Sequence, residues 1–338
     1  MLFVEVMLRI GFSNATVLSH LGQERDAFFR LWWVQRHRDD TPIRYRFDVY
    51  SPTRGWVIKP NLHDMPVFHE KILNSNARGL RGRTDYSYDK PAARRRVVVL
   101  GDSWTFGEQV SDDETYAAQL SRVLRDIEVL NFGVHGYGHD QMLIYLQEEA
   151  LNYHPDLVIV GFEHFDIYRN LLSFRDFAKP RYVLDGTRLV LTHSPVPSPE
   201  SVLRSEPYRV KLLDGAALLY QSYRWLTGDW ERDARRITTA ILSELVRSVL
   251  AVGAVPLFVD LGFGGEDVFF SDLCNDINNS LPTPARLRCI SARAALAQRA
   301  AQGEQMAIGG HPSPEAHRTI AHVIRDYLVR NELAAAVD

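Results

Sequence analysis

Four apolar runs that do not alternate constrain the fold of this chain most. They are "RVVVL" (96–100), "IEVLNF" (127–132), "LVIVGF" (157–162) and "VPLFVDL" (255–261). A strand with one wet face alternates apolar and polar residues, so a continuous apolar run of strand length is covered on both faces. Helical spacing separates the runs: Tyr116, Leu120, Val123 and Leu124 recur along 113–126, residues 139–152 are helix-like, and residues 285–302 and 314–331 close the chain, the last as an amphipathic helix. Buried strands separated by helices predict a mostly parallel sheet between two helical layers, an α/β fold of three layers, α/β/α.

The rest of the chain elaborates that core. Residues 22–38 are aromatic-rich and helix-like, "RYRFDVY" (44–50) alternates like a half-buried strand, and 51–93 are rich in Pro, Asn, Arg and Gly and read as irregular. We therefore expect an N-terminal extension over 1–93 packed on a core domain over 94–338. An insertion over 171–230 contains a hairpin around Asp185-Gly186, a proline-punctuated loop (193–200) and helix-like residues near 208–226; a second helical run covers about 232–252. Its aromatics Tyr182, Tyr208, Tyr220, Tyr223, Trp225 and Trp230 read either as the wall of an apolar or glycan pocket or as core of the added helices.

A net charge of −3 with scattered arginines gives no clustered basic face, so no nucleic-acid partner is expected. The N-terminal "MLFVEVMLRIGF" is too short to span a bilayer and lacks the layout of a signal peptide. Read as given, the chain is expected to be soluble, with the cytoplasm slightly favoured over a membrane-anchored or exported parent. Two cysteines, Cys274 and Cys289, fit neither a metal pair nor a disulfide framework, though they leave room for one bridge.

Chemistry-bearing residues gather just past the strands. Ser103 lies three residues beyond Leu100, where ligands of open α/β sheets bind. It reads as a nucleophile with nearby backbone N–H donors, as a strand-end turn residue, or as an anion site at a helix start. The acidic "SDDE" (111–114) that follows disfavours the anion. His311, in a Gly-Gly-His-Pro loop before the last helix, reads as a base or as an ordinary loop histidine. "NFGVHGYGHDQ" (131–141) offers glycine N–H donors. Its His135 and His139 are four apart, but the intervening glycines argue against a helical zinc pair, and no metal or other cofactor is expected. Glu163, His164 and Asp166 follow the third run as polar lining, with Asp166 also able to start the next helix.

In this order and spacing the segments resemble the SGNH (GDSL-type) hydrolase family over about residues 56–330. "GDSWTFG" resembles the block that carries the nucleophilic serine, "NFGVHGYG" the block with the oxyanion glycine, "PDLVIVGFEHFD" the third block and "HPSPEAH" the block with the catalytic histidine. "NSNARGLRG" (74–82) and the hairpin and Pro-rich loop around 179–199 are similar to one bacterial branch. The resemblance implies a flavodoxin-like fold and a metal-free serine mechanism. Ser103 would be the nucleophile and His311 the base, and the oxyanion would sit between the amides of Ser103 and Gly136. Asp102, Glu163, His164 and Asp166 would line a small-molecule or glycan ester site.

Two positions depart from the family pattern. Phe165 stands where the third block carries an oxyanion asparagine, with His164 a conceivable substitute donor. Ile308 and Gly309 stand where an aspartate precedes the histidine, leaving Glu304 or a backbone carbonyl to orient His311. The expected function is thus an ester hydrolase or O-acyltransferase acting on small acyl esters of a carbohydrate or secondary metabolite. The alternative is a binding protein on the same fold with impaired catalysis.

Overall fold

The computed structural model describes residues 1–20, 25–37, 43–282 and 286–337. Its centre is a five-stranded sheet of β1 (Arg95–Gly101), β2 (Ile127–Gly133), β3 (Leu157–Phe162), β4 (Val255–Asp260) and β5 (Arg288–Ser291). All four pairings are parallel, and the order across the sheet is β5-β4-β3-β1-β2. Read from the other edge this is 2-1-3-4-5, the flavodoxin-like doubly wound order, in which the direction of winding reverses between β1 and β3.

The apolar runs form the buried strands for the reason given by their pattern. Val97, Val98, Val99 and Leu100 are all buried, and alternate residues face opposite layers. On one face Val97, Val99, Val129, Ile159, Leu257 and Val259 share a core with helix α2 (Tyr116–Val123), α5 (Arg293–Ala301) and α6 (Pro314–Arg330). On the other, Phe132 of β2 meets the ring of Tyr145 in α3 (His139–Glu148), and Phe162 of β3 meets Phe269 and Phe270 of α4 (Val268–Ser280). Full burial of each such aliphatic side chain contributes roughly 1.5–3 kcal/mol, so the sheet is where most of the stability of this part resides.

By its internal contacts the chain divides into two compact units, Met1–Val57 with Ile167–Ala240 and Ile58–Asp166 with Ile241–Asp338. The second contains the whole sheet. The first contains helices Leu2–Phe12, Asp26–Arg36 and Lys211–Leu226, with Phe12, Leu18, Ala27, Phe28, Leu31 and Leu218 forming its small core. It also holds the hairpin Arg181–Asp185 with Arg188–Thr192, turning at Gly186 (φ 61°) as expected. Of its aromatics, Trp230 is buried, while Tyr208, Tyr220, Tyr223 and Trp225 are exposed, so most of them are not core. Tyr182, Tyr220, Arg224 and Trp230 help to line an open cleft of about 420 Å³. Among the described residues no helix is long and apolar enough to cross a membrane.

Several expected elements differ in detail. The helix expected over 22–38 covers Asp26–Arg36, and 22–24 and 38 lie outside the described residues. "RYRFDVY" is a strand only from Asp48, because the Asp48 carboxylate accepts from the Arg44 and Tyr45 N–H groups and folds that end into a turn. The segment 51–93 includes short strands at Gly55–Ile58, Met65–Val67 and Lys71–Leu73. The stretch 285–302 splits into the edge strand β5 and helix α5, with residue 285 outside the described ones. Cys274 of α4 and Cys289 of β5 form a disulfide.

Candidate active site

The site is built on the turn after β1. Asp102 caps the one-turn helix α1 (Ser103–Phe106): its Oδ1 accepts from the Trp104 N–H at 2.9 Å. Ser103 is thereby the first residue of that helix, directly above the carboxyl end of β1 and beside the reversal of strand order. The tight turn fits because three neighbouring strand ends carry no side chain. A Cβ on Gly101 would lie 2.0 Å from Thr105 Oγ1, one on Gly133 2.3 Å from Phe106 N, and one on Gly161 2.5 Å from Thr105 Oγ1. The Asn131 amide ties β2 to the turn by donating to the Thr105 carbonyl at 2.9 Å.

His311 reaches the same place from the other end of the chain. Ile308 and His311 pair across a two-residue turn made by Gly309 (φ 56°) and Gly310 (φ 82°), the left-handed pair such a turn requires. Ser313 then caps α6, its Oγ accepting from the Ala316 N–H at 3.1 Å. The result is a distance of 3.0 Å between His311 Nε2 and Ser103 Oγ, although 208 positions separate them. Ser103 Oγ also lies 3.2 Å from Asp102 Oδ2, to which it donates.

Of the two groups expected near His311, Glu304 is engaged elsewhere and a backbone carbonyl is in place, and a third group joins it. Glu304 is paired with Arg299 at 3.0 Å. His311 Nδ1 lies 3.3 Å from the Gly309 carbonyl, which accepts from Nδ1 when that nitrogen carries a proton. Glu108, which is outside the expected site residues, places Oε2 2.9 Å from His311 Nε2 and is itself buried. Burial alone would lower the pKa of His311; the Glu108 hydrogen bond and charge, the Asp102 charge and the Gly309 carbonyl outweigh it, so the value stands above 6.5.

Glu108 is held firmly. Gly107 (φ 87°) ends α1 in the left-handed conformation, and both Gly107 N–H and Glu108 N–H return to the Ser103 carbonyl at 2.9 and 3.0 Å. Arg81, fully buried, donates to the carbonyls of Phe106, Gly107 and Val110 at 2.6–2.7 Å and to Asp112 Oδ1 at 2.9 Å. Burial lowers the pKa of Arg81 against the opposing pull of Asp112, Glu108 and Glu114. Asn74 adds its N–H and Nδ2 to Asp112, so "NSNARGLRG" is the brace of the loop that carries Glu108. The carboxylates of "SDDE" accordingly take cationic and amide partners, Asp112 those of Arg81 and Asn74, and Glu114 that of Lys71 at 2.8 Å.

Gly136 lies in the buried segment between β2 and α3 with φ 72°. Among the described residues no protein group accepts from the N–H of Ser103 or of Gly136. Phe165 is 62% exposed, with its N–H donating to Glu163 Oε2 at 2.7 Å. His164, the conceivable stand-in for the missing asparagine, is engaged by Asp267 at 2.9 Å. Asp166 is buried at the start of the short helix Asp166–Arg169. Of the four expected lining residues, Asp102 is thus the one in direct contact with Ser103. The signal for Glu108 was present in "GDSWTFGEQV": a glycine that ends one helical turn sends the next side chain back toward the serine.

No family model matches the chain, and no curated protein matches it. Solved structures do. The chain is similar to the psychrotrophic esterase EstA from Pseudoalteromonas sp. at 14% identity, with 70% of this chain and 98% of that one covered and a TM-score of 0.42. It is similar to a G-D-S-L lipolytic protein from Veillonella parvula at 12% identity, covering 70% and 99%, with a TM-score of 0.40. A two-domain esterase active on acetylated mannans matches at 15% identity, covering 72% of this chain and 51% of that one, with a TM-score of 0.40. At these identities and TM-scores the likeness assigns no role to any residue here.

Proposed function

We propose that this chain is a serine ester hydrolase or O-acyltransferase that forms an acyl-enzyme on Ser103 with His311 as its base. The observation that carries the reading is the 3.0 Å approach of His311 Nε2 to Ser103 Oγ at the carboxyl edge of the sheet. That distance is within the reach a nucleophile and its base need. With a proton on Nδ1 donated to the Gly309 carbonyl, neutral His311 carries its lone pair on Nε2, which can receive the serine proton.

The chemistry balances as acyl transfer. Oγ bonds to the ester carbonyl carbon, its proton passes to Nε2, and the carbonyl π pair moves onto oxygen. The N–H groups of Ser103 and Gly136 are the proposed hydrogen-bond donors to that oxyanion. Collapse breaks the bond to the alkoxy oxygen, which leaves with the Nε2 proton. Water, or an acceptor hydroxyl in a transferase, then repeats the sequence in reverse. Small acyl esters suit the reading, with carbohydrate or secondary-metabolite esters as the proposed class. Phe165 supports the alternative of an impaired binding protein, since a phenyl ring donates no hydrogen bond and loss of one oxyanion donor costs about 10²–10³ in rate. Steady-state hydrolysis of p-nitrophenyl acetate separates the two. Turnover that vanishes in Ser103→Ala supports the enzyme, and equal rates in wild type and Ser103→Ala reject it. Added alcohol acceptors then divide hydrolase from transferase.

A further inference from the structure

We propose that Glu108 is the charge partner of His311, acting on Nε2, the same nitrogen that faces Ser103, in place of a carboxylate behind Nδ1. The proposal rests on the esterase reading for its catalytic meaning, but its geometry stands apart from it.

Two independent features point to this role. The first is the contact itself: Nε2 lies 2.9 Å from Glu108 Oε2 and 3.0 Å from Ser103 Oγ, so one nitrogen faces a carboxylate and a hydroxyl together. The second is the brace. Three backbone carbonyls around Glu108 are held by the buried Arg81, and its own N–H is held by the Ser103 carbonyl. A carboxylate with 1% exposure is thereby fixed beside the imidazole rather than left to swing into solvent.

The shared nitrogen creates two hydrogen-bonding states. With His311 protonated, Nδ1–H points at Gly309 O and Nε2–H is shared by Glu108 and Ser103 Oγ, while the serine hydroxyl donates to Asp102 Oδ2. With His311 neutral, the Nε2 lone pair is opposed by the Glu108 carboxylate and is free to accept only from the serine. Glu108 therefore favours the imidazolium. It resists loss of the proton at rest and stabilises the proton taken from Ser103 during attack. The proton itself stays on His311 until the leaving oxygen takes it. The other charged and titratable neighbours are Asp102 on the α1 side, which adds to the effect, and His317 of α6, which burial keeps neutral in front of Arg81.

This predicts crossing pH profiles. A neutral Glu108→Gln side chain keeps a hydrogen-bond acceptor at Nε2 but removes the charge. The His311 titration midpoint should fall by about one pH unit or more, the usual effect of an opposite charge at this range. Hydrolysis of p-nitrophenyl acetate should be slower than wild type above the midpoint, where the imidazolium of the transition state loses its partner. Below it, the variant should equal or exceed wild type, because more of its His311 is free base. A merely structural loss would lower the rate at every pH.

The decisive readout is the His311 imidazole ¹⁵N shift, assigned with His311→Asn and titrated from about pH 5 to about pH 9. A lower midpoint in Glu108→Gln together with crossing profiles supports the proposal. Equal midpoints in the two proteins overturn it, even if ester turnover persists. A lower midpoint without any turnover leaves Glu108 as the charge partner and removes the esterase reading instead. Should Glu108→Gln not fold, the wild type decides alone: a midpoint at or below 6.5 overturns the proposal.

Discussion

Acid should destabilise the sheet-bearing unit through one histidine. His317 is completely buried in α6; its Nδ1 accepts from the Tyr116 N–H at 3.1 Å, and its Nε2 has no protein partner among the described residues. Burial, with Arg81 and His311 nearby, pushes its pKa down from 6.5 to about 3. The unfolded chain therefore binds this proton at about 6.5 and the folded chain only near 3. Between those values the unfolded state holds more protons, so stability rises with pH, and the contribution is lost as pH falls from 6.5 toward 3. Over about 3.5 pH units at 1.36 kcal/mol each, the full loss is about 5 kcal/mol, and at pH 4.5 it is about 3 kcal/mol. Protonation would also remove the acceptor that satisfies the first N–H of α2. The perturbation is His317→Asn, which keeps an acceptor near Nδ1 and does not titrate. Urea unfolding of both proteins at about pH 7 and about pH 4.5 is the assay. Wild type should lose about 3 kcal/mol more than the variant on acidification, whatever the variant costs at neutral pH. Equal losses would refute the reasoning, because other titrating groups contribute alike to both proteins.

Four further outcomes follow from named contacts. Arg81→Met removes the donor to three buried carbonyls and the cationic partner of Asp112; a loss of about 3–5 kcal/mol in urea unfolding is expected. Leu120→Ala, at a position with no exposure, should cost about 2–5 kcal/mol by the same assay. Replacing Cys274 and Cys289 by serine opens a link across 15 positions, expected to cost about 3 kcal/mol in the chain-entropy account and to show as a lower melting temperature. Phe165→Asn, at an exposed position, should speed p-nitrophenyl acetate hydrolysis by up to about 10²–10³ if an amide there donates to the oxyanion, and unchanged turnover would show that it does not.

Much of the fold was legible because burial on two faces leaves a mark in one dimension. The runs at 96–100, 127–132, 157–162 and 255–261 coincide with β1 to β4 to within a residue or two. β5 was not legible: "RCIS" is four residues long, half-exposed at the sheet edge, and merges with a helical pattern. The compact units divide at 57/58, 166/167 and 240/241, boundaries made by contacts remote in sequence. The disulfide likewise depends on α4 and β5 meeting in space.

At the site, Ser103 and His311 were readable because each sits at a strand end or helix start with glycines that force a turn. Their approach to 3.0 Å across the chain was not readable from either segment alone. Glu108 leaves only a weak local signal in the sequence. Its position beside His311 depends on the left-handed Gly107 and on Arg81 folding back over the loop, and neither alters the hydrophobic pattern. Glu304, the acid near His311 in sequence, pairs with Arg299 instead.

The central claim is that Ser103 is a nucleophile activated by His311. A fluorophosphonate probe reacts covalently with such a serine, and peptide mass mapping locates the adduct. The account predicts stoichiometric labelling on Ser103 that disappears in Ser103→Ala and slows strongly in His311→Ala. Absence of labelling in folded wild type between about pH 6 and about pH 9, or an adduct on another residue, would contradict it.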